Sequence, residues 1–147
     1  MKAHIFVDAG SGLAPTMIGT SANVNDVTQG LGLLRGEEAL VFADPGYQGA
    51  DKLSEATGLQ WHIAPRPGKR RALNKQSPLG ALPEQAEKIN GSVRTKAAHP
   101  FRVIKCLFGL TKVCYRGLVK TMAQAPILFV LSNLWMARNR LARRADE

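Results

Sequence analysis

The stretch Ala39-Leu40-Val41-Phe42-Ala43-Asp44-Pro45-Gly46 decides how the rest of the chain is read. Five apolar residues in a row, stopped by Asp-Pro-Gly, predict a short strand buried on both faces and ending in a tight turn. Working downstream, a short helix is expected from Ala50 to Thr57-Gly58, and Gln60 to Ala64 reads as another strand, closed by Pro65-Arg66-Pro67-Gly68. Upstream, His4–Val7 and Ala14–Thr20 read as two strands joined by the turn Asp8-Ala9-Gly10-Ser11-Gly12. Asn25 or Asp26 then caps a helix to about Leu34, ending at Arg35-Gly36. Strand, strand, helix, strand, helix, strand is an α/β order.

Beyond this sheet portion (residues 1–64), residues 65–82 place Lys69-Arg70-Arg71 among prolines and glycines, the composition of an exposed basic loop. Residues 83–147 read as mainly helical, with breaks at Asn90-Gly91, Pro100 and Gly117 and a final apolar helix from about Pro126 to Leu141.

A chain of 147 residues, 45% hydrophobic and 21% charged, has enough apolar material for the core of one domain. Its longest apolar stretch, Ala125 to Met136, contains Pro126, Ser132 and Asn133 and falls short of the roughly 20 residues a bilayer requires. The N-terminus reaches Asp8 before a secretory apolar region can build up, so a cytoplasmic location with no membrane contact is expected. Cys106 and Cys114 match no metal or redox spacing, and His4, His62 and His99 are scattered.

The net charge of +9 is unevenly spread. Residues 1–60 carry three basic and seven acidic side chains, residues 61–147 seventeen and four. Such asymmetry points the second part of the chain at a polyanion, with nucleic acid ahead of an anionic lipid surface.

Asp44 is the leading candidate for a functional side chain, because ligands and metals in open α/β sheets are held at strand ends. A turn-forming role in Asp-Pro-Gly is the competing reading. Asp8 fits a hairpin turn better than a site, and Gly10-Ser11-Gly12 lacks the following helix that a phosphate loop requires. Further on, Arg94, Ala98 and Lys105 fall within an arc of about 40° if the helix is continuous, which suits a phosphate-facing surface. Pro100 predicts a kink or a second helix starting nearby.

Taken together, Val41-Phe42-Ala43-Asp44-Pro45-Gly46-Tyr47-Gln48-Gly49 resembles the second-aspartate strand of bacterial insertion-sequence DDE transposases of the IS-four/IS-five type. The stretch from Val93 to Lys105 is similar to their third-carboxylate block, an Arg, a Glu four residues on and a Lys seven further. Similarity extends to Met1–Ile5, Asn23–Val27, Lys112–Leu118 and Leu131–Trp135, and so covers essentially the whole chain.

The resemblance implies an RNase H-like fold, here incomplete, with a helical C-terminal part, and places this chain in the C-terminal part of the catalytic domain. It also implies an Asp, Asp, Glu triad holding two Mg2+ or Mn2+ ions that activate a water or 3′-hydroxyl for strand cleavage and transfer. Asp44 matches the second Asp. The first belongs to a strand upstream of this chain's start, and Asp8 matches a later hairpin position.

At the third position stands Ala98, flanked by Arg94 and Lys105 at the family spacing. Glu87, eleven residues earlier, would lie about 16 Å away on a continuous helix and cannot replace it. A bound metal pair is therefore not expected. The reading is a truncated, catalytically inactive transposase fragment that binds double-stranded DNA. Arg94, Arg102, Lys105, Lys112 and Arg116 are the candidate phosphate contacts. The alternative is a regulatory DNA-binding protein that occupies element ends or partners a full-length transposase. A poorly folded remnant is a third possibility, since a sheet lacking its first strand exposes an edge.

Overall fold

A computed structural model describes residues 1–53, 58–71, 78–112 and 115–145. The chain divides into two compact units, residues 25–95 in one and residues 1–24 with 96–147 in the other.

The contiguous unit holds α1 (Asp26–Leu33), β3 (Leu40–Ala43), α2 (Ala50–Leu53), β4 (Gln60–Ile63), α3 (Pro67–Arg71) and α4 (Pro78–Thr95). Asn25 caps α1, its side chain accepting from the Val27 amide at 3.2 Å, as the sequence leads one to expect. Strands β3 and β4 pair in parallel, with Val41 opposite Trp61 and Ala43 opposite Ile63. Their connection runs through α2, which packs on both α1 and β4, while α4 packs on β3. The segment at 54–57, where α2 was expected to continue, lies outside the described residues.

Three expectations about this unit change. β3 is buried on one face only: Val41 and Ala43 are buried, but Leu40 is exposed. The basic segment is partly helical, since α3 takes up Pro67–Arg71 and α4 begins at Pro78, with 72–77 outside the described residues. Finally, α4 runs unbroken through Asn90-Gly91. Glycine in a helix costs only about 1 kcal/mol against alanine. Three side chains bridge the weak turn: Thr95 Oγ1 donates to the Gly91 carbonyl at 2.9 Å, Ser92 Oγ to that of Ile89 at 2.7 Å, and Arg94 pairs with Glu87.

The second unit joins an antiparallel hairpin, β1 (Lys2–Phe6) and β2 (Thr16–Thr20), to three helical segments. These are α5 (Ala98–Arg102), a π-helical turn (Val103–Leu107) and the long α6 (Leu118–Ala145). Between the strands the Asp8 carboxylate accepts from the Ser11 amide, and the Asp8 amide donates to Leu13 O at 2.9 Å. Asp8 thus works as a hairpin residue, and its hydrogen bonds with Ser11 hold the carboxyl below its usual range.

The core of this unit is built on Ala14, Ile104 and Phe129, with Ile5, Met17, Phe101 and Leu128 against it. Phe101 meets Phe129 edge to face, their ring centres 5.2 Å apart. Asn133 on α6 holds the backbone of Ala14 at both ends: its Oδ1 accepts from the Ala14 amide at 2.9 Å and its Nδ2 donates to the Ala14 carbonyl at 2.8 Å. Helix α6 crosses β2 closely enough that a Cβ on Gly19 would stand 2.0 Å from Met122 Sδ, so any larger residue there would require the Met122 side chain to move. The helix begins eight residues before the expected start and carries Pro126 inside it.

Candidate functional site

Asp44 stands at the carboxyl end of β3, exposed, with extended backbone (φ −78°, ψ 172°). Its Oδ1 accepts from the Gly46 amide at 2.9 Å, and its carbonyl accepts from Tyr47 N at 3.1 Å. A short 3-10 turn, Pro45–Tyr47, follows, with Pro45 preset for its first position. The turn-forming reading of Asp44 is met by its bond to the Gly46 amide, and the residue stands directly after the last residue of β3.

A second carboxylate reaches the same turn. Asp26, the first residue of α1, brings Oδ2 to 2.7 Å from where a Cβ on Gly46 would be, and Asp44 Oδ1 lies 3.0 Å from that point. A side chain at position 46 would press on both carboxylates and force them to shift. Partial burial and the charges of Asp26 and Asp44 push the Tyr47 phenol up to about 12. Sequence reasoning treated Asp26 only as a helix cap. Its nearness to Asp44 depends on how α1 packs against the turn, which no local spacing encodes.

Among the described residues, no three His, Cys, Asp or Glu side chains converge on a point where a metal ion could sit. A pair of hard cations, each wanting several oxygen ligands, does not fit the Asp26–Asp44 donor set.

The third-carboxylate block is laid out differently from a single helical face. Helix α4 ends at Thr95, residues 96–97 form a turn, and α5 begins at Ala98 without a side-chain cap. The turn, followed by the wider π-helical winding, breaks the 3.6-residue spacing that put Arg94, Ala98 and Lys105 on one arc. Arg94 belongs to the contiguous unit, Ala98 and Lys105 to the other. Arg94 is largely buried against Glu87, whereas Ala98, Arg102 and Lys105 are exposed. Lys112 and Arg116 are exposed in the segment before α6. Sequence reasoning passed over Arg138, Arg140 and Arg143, exposed cations on α6. Their clustering in the basic second part of the chain was the available signal.

Among the described residues, no helix is long and apolar enough to cross a membrane. No solved structure matches the chain. The sequence pattern that defines the transposase DDE domain matches residues 1–134, nearly the full length. With the Asp44 strand and the basic block on Ala98 both inside that match, the chain belongs to the transposase DDE domain family.

Proposed function

We propose that this chain is a C-terminal portion of an insertion-sequence transposase catalytic domain of the IS-four/IS-five type, RNase H-like in ancestry, that binds double-stranded DNA without cutting it. The observation that carries the reading is Ala98: where the family's third carboxylate is expected, this chain has a methyl group. Asp44 is then the only side chain matched to the triad. The pairing of Asp26 with Asp44 supplies two carboxylates to one turn and leaves the two-metal arrangement short of ligands.

DNA recognition in this reading is electrostatic and indifferent to sequence. Exposed Arg102, Lys105, Lys112 and Arg116 stand as phosphate contacts, and Arg94 contributes less because Glu87 already pairs with it. With about five phosphates neutralised, log K should fall with log salt at a slope of about −4 to −5. Replacing Arg102 or Lys105 with Gln should make that slope shallower by about 1 each, uniformly across DNA sequences.

A nicking assay on element-end DNA with magnesium or manganese tests the catalytic half of the proposal, and no product is expected. Cleavage abolished by Asp44→Ala would overturn it. DNA binding that ignores salt would overturn the other half. A chain that binds element ends without cutting also suits a regulator of a full-length transposase, and competition with the intact enzyme for those ends would reveal that role.

A further inference from the structure

Helix α6 leaves a gap on the face it turns to its own unit. Thr121, Gln124, Ala125 and Leu128 recur there at steps of three and four, and Ala3 of β1 and Ile104 of the π-helical turn extend the wall. Positions 3 and 125 are alanine where larger apolar side chains would close the space, and a cavity of about 140 Å³ is left. Interiors pack as densely as organic crystals, with few voids larger than a water molecule, so a space of this size is room for a guest.

The chemistry of the wall indicates the guest. Its surface is almost entirely carbon and includes the rings of Phe101 and Phe129. A dry apolar cavity of about 150 Å³ accepts benzene, so one aromatic ring fits here and a long acyl chain does not. Thr121 spends its hydroxyl on the Gly117 carbonyl at 2.9 Å. Two other polar side chains line the space, Lys105, which is exposed, and Gln124, which is half-buried. Among the described residues neither has a hydrogen-bond or ion-pair partner, and no carboxylate lines the cavity. A lysine that lines an apolar wall and is also exposed lays its stem on the wall and keeps its ammonium at the rim. An unpaired cation and an amide at the edge of a carbon-walled space suit the two oxygens of one carboxylate.

We propose that this cavity binds a small aromatic monocarboxylate, the ring among Phe101, Ile104 and Phe129 and the carboxylate held by Lys105 and Gln124. Lys105 is also one of the phosphate contacts named above, so ligand and DNA would draw on the same cation. The test is made without DNA and stands apart from that reading.

The full chain is titrated calorimetrically with benzoate and with benzamide, which share a ring and a shape and differ in charge. Benzoate should bind at least about tenfold tighter, with the difference shrinking in salt. Lys105→Met, at an exposed position, should remove most of that preference while benzamide binds as before. Ala125→Leu puts a side chain into the space itself and should weaken both ligands at least about tenfold with unchanged circular dichroism. The comparison on the unaltered chain decides the matter even where Ala125→Leu distorts the fold. Equal affinity for the two ligands, or binding of neither, overturns the proposal. So does a Lys105→Met chain that keeps the full preference. A folded Ala125→Leu chain that binds benzoate undiminished would put the ligand elsewhere and overturn it too.

Discussion

The two units of this chain are held together by contacts of very different reach. In residues 25–95 the pairing of β3 with β4 and the capping of α1 join neighbours in sequence, with α2 lying between the paired strands. In the other unit the polar ties between Asn133 and Ala14 span 119 positions, and Arg140 donates to the Ser11 carbonyl across 129. Charge divides the same way. Residues 1–24 with 96–147 carry eleven basic and three acidic side chains, whereas residues 25–95 carry nine and eight. The carboxylates that meet at Gly46 thus sit in a nearly neutral unit folded from local pieces. Most of the surplus positive charge belongs to the unit closed by distant ones.

The largest expected effect tests whether the units are energetically separate. Phe129→Ala removes the ring at the centre of the discontinuous unit and should cost about 3–5 kcal/mol. The chain's two tryptophans fall one in each unit, Trp61 on β4 and Trp135 on α6. Urea unfolding of single-tryptophan variants should show the Trp135 transition moving to lower denaturant while the Trp61 transition stays. Equal movement of both would mean that the chain unfolds as one cooperative body, and the division would be geometric only.

Next in size is Asn133→Ala, which leaves both backbone groups of Ala14 without their side-chain partner. Ala14 is buried, so a loss of about 1–3 kcal/mol is expected. A change below a few tenths in the same Trp135 transition would show that solvent takes over these bonds at no cost.

The smallest effect sharpens the description of the contiguous unit. Tyr47 titrates near 12, against an ordinary 10.0, because burial and then the Asp26 and Asp44 charges disfavour its phenolate. A raised folded value means that the stabilisation is fully present below about pH 10 and is lost as pH climbs towards 12. In a Tyr115→Phe background, absorbance at the phenolate band should follow Tyr47 alone. Asp26→Asn should lower its midpoint by part of the shift, since burial, the larger cause, remains. An unmoved midpoint would place Asp26 too far from the phenol to matter.

How far the fold could be read in advance follows from which signals are local. The apolar run before Asp44, the run from Gln60 and the Asn25 cap are short-range patterns, and β3, β4 and α1 appear within a residue or so of expectation. Asp44 at a strand end was legible for the same reason. The break between Arg94 and Lys105 was legible in Pro100, which predicts a kink or a second helix starting nearby, and α5 begins at Ala98. Asn90-Gly91, by contrast, did not reveal that side chains on adjoining turns would hold α4 together. The nearness of Asp26 to Asp44 depends on tertiary packing alone, and the seventeen residues between them hide it.

The Asn133 clamp on Ala14 also has a consequence in time. A ribosome adding about 5–20 residues per second takes about 6 to 24 s to get from Ala14 to Asn133. Throughout that interval the main chain at Ala14 lacks its amide partner, and the nascent hairpin shows its apolar side to whatever is nearby. The contiguous unit, by contrast, is fully synthesised before α6 begins to emerge. A chaperone that recognises exposed apolar strands would therefore meet residues 1–24 long before their own fold could hide them.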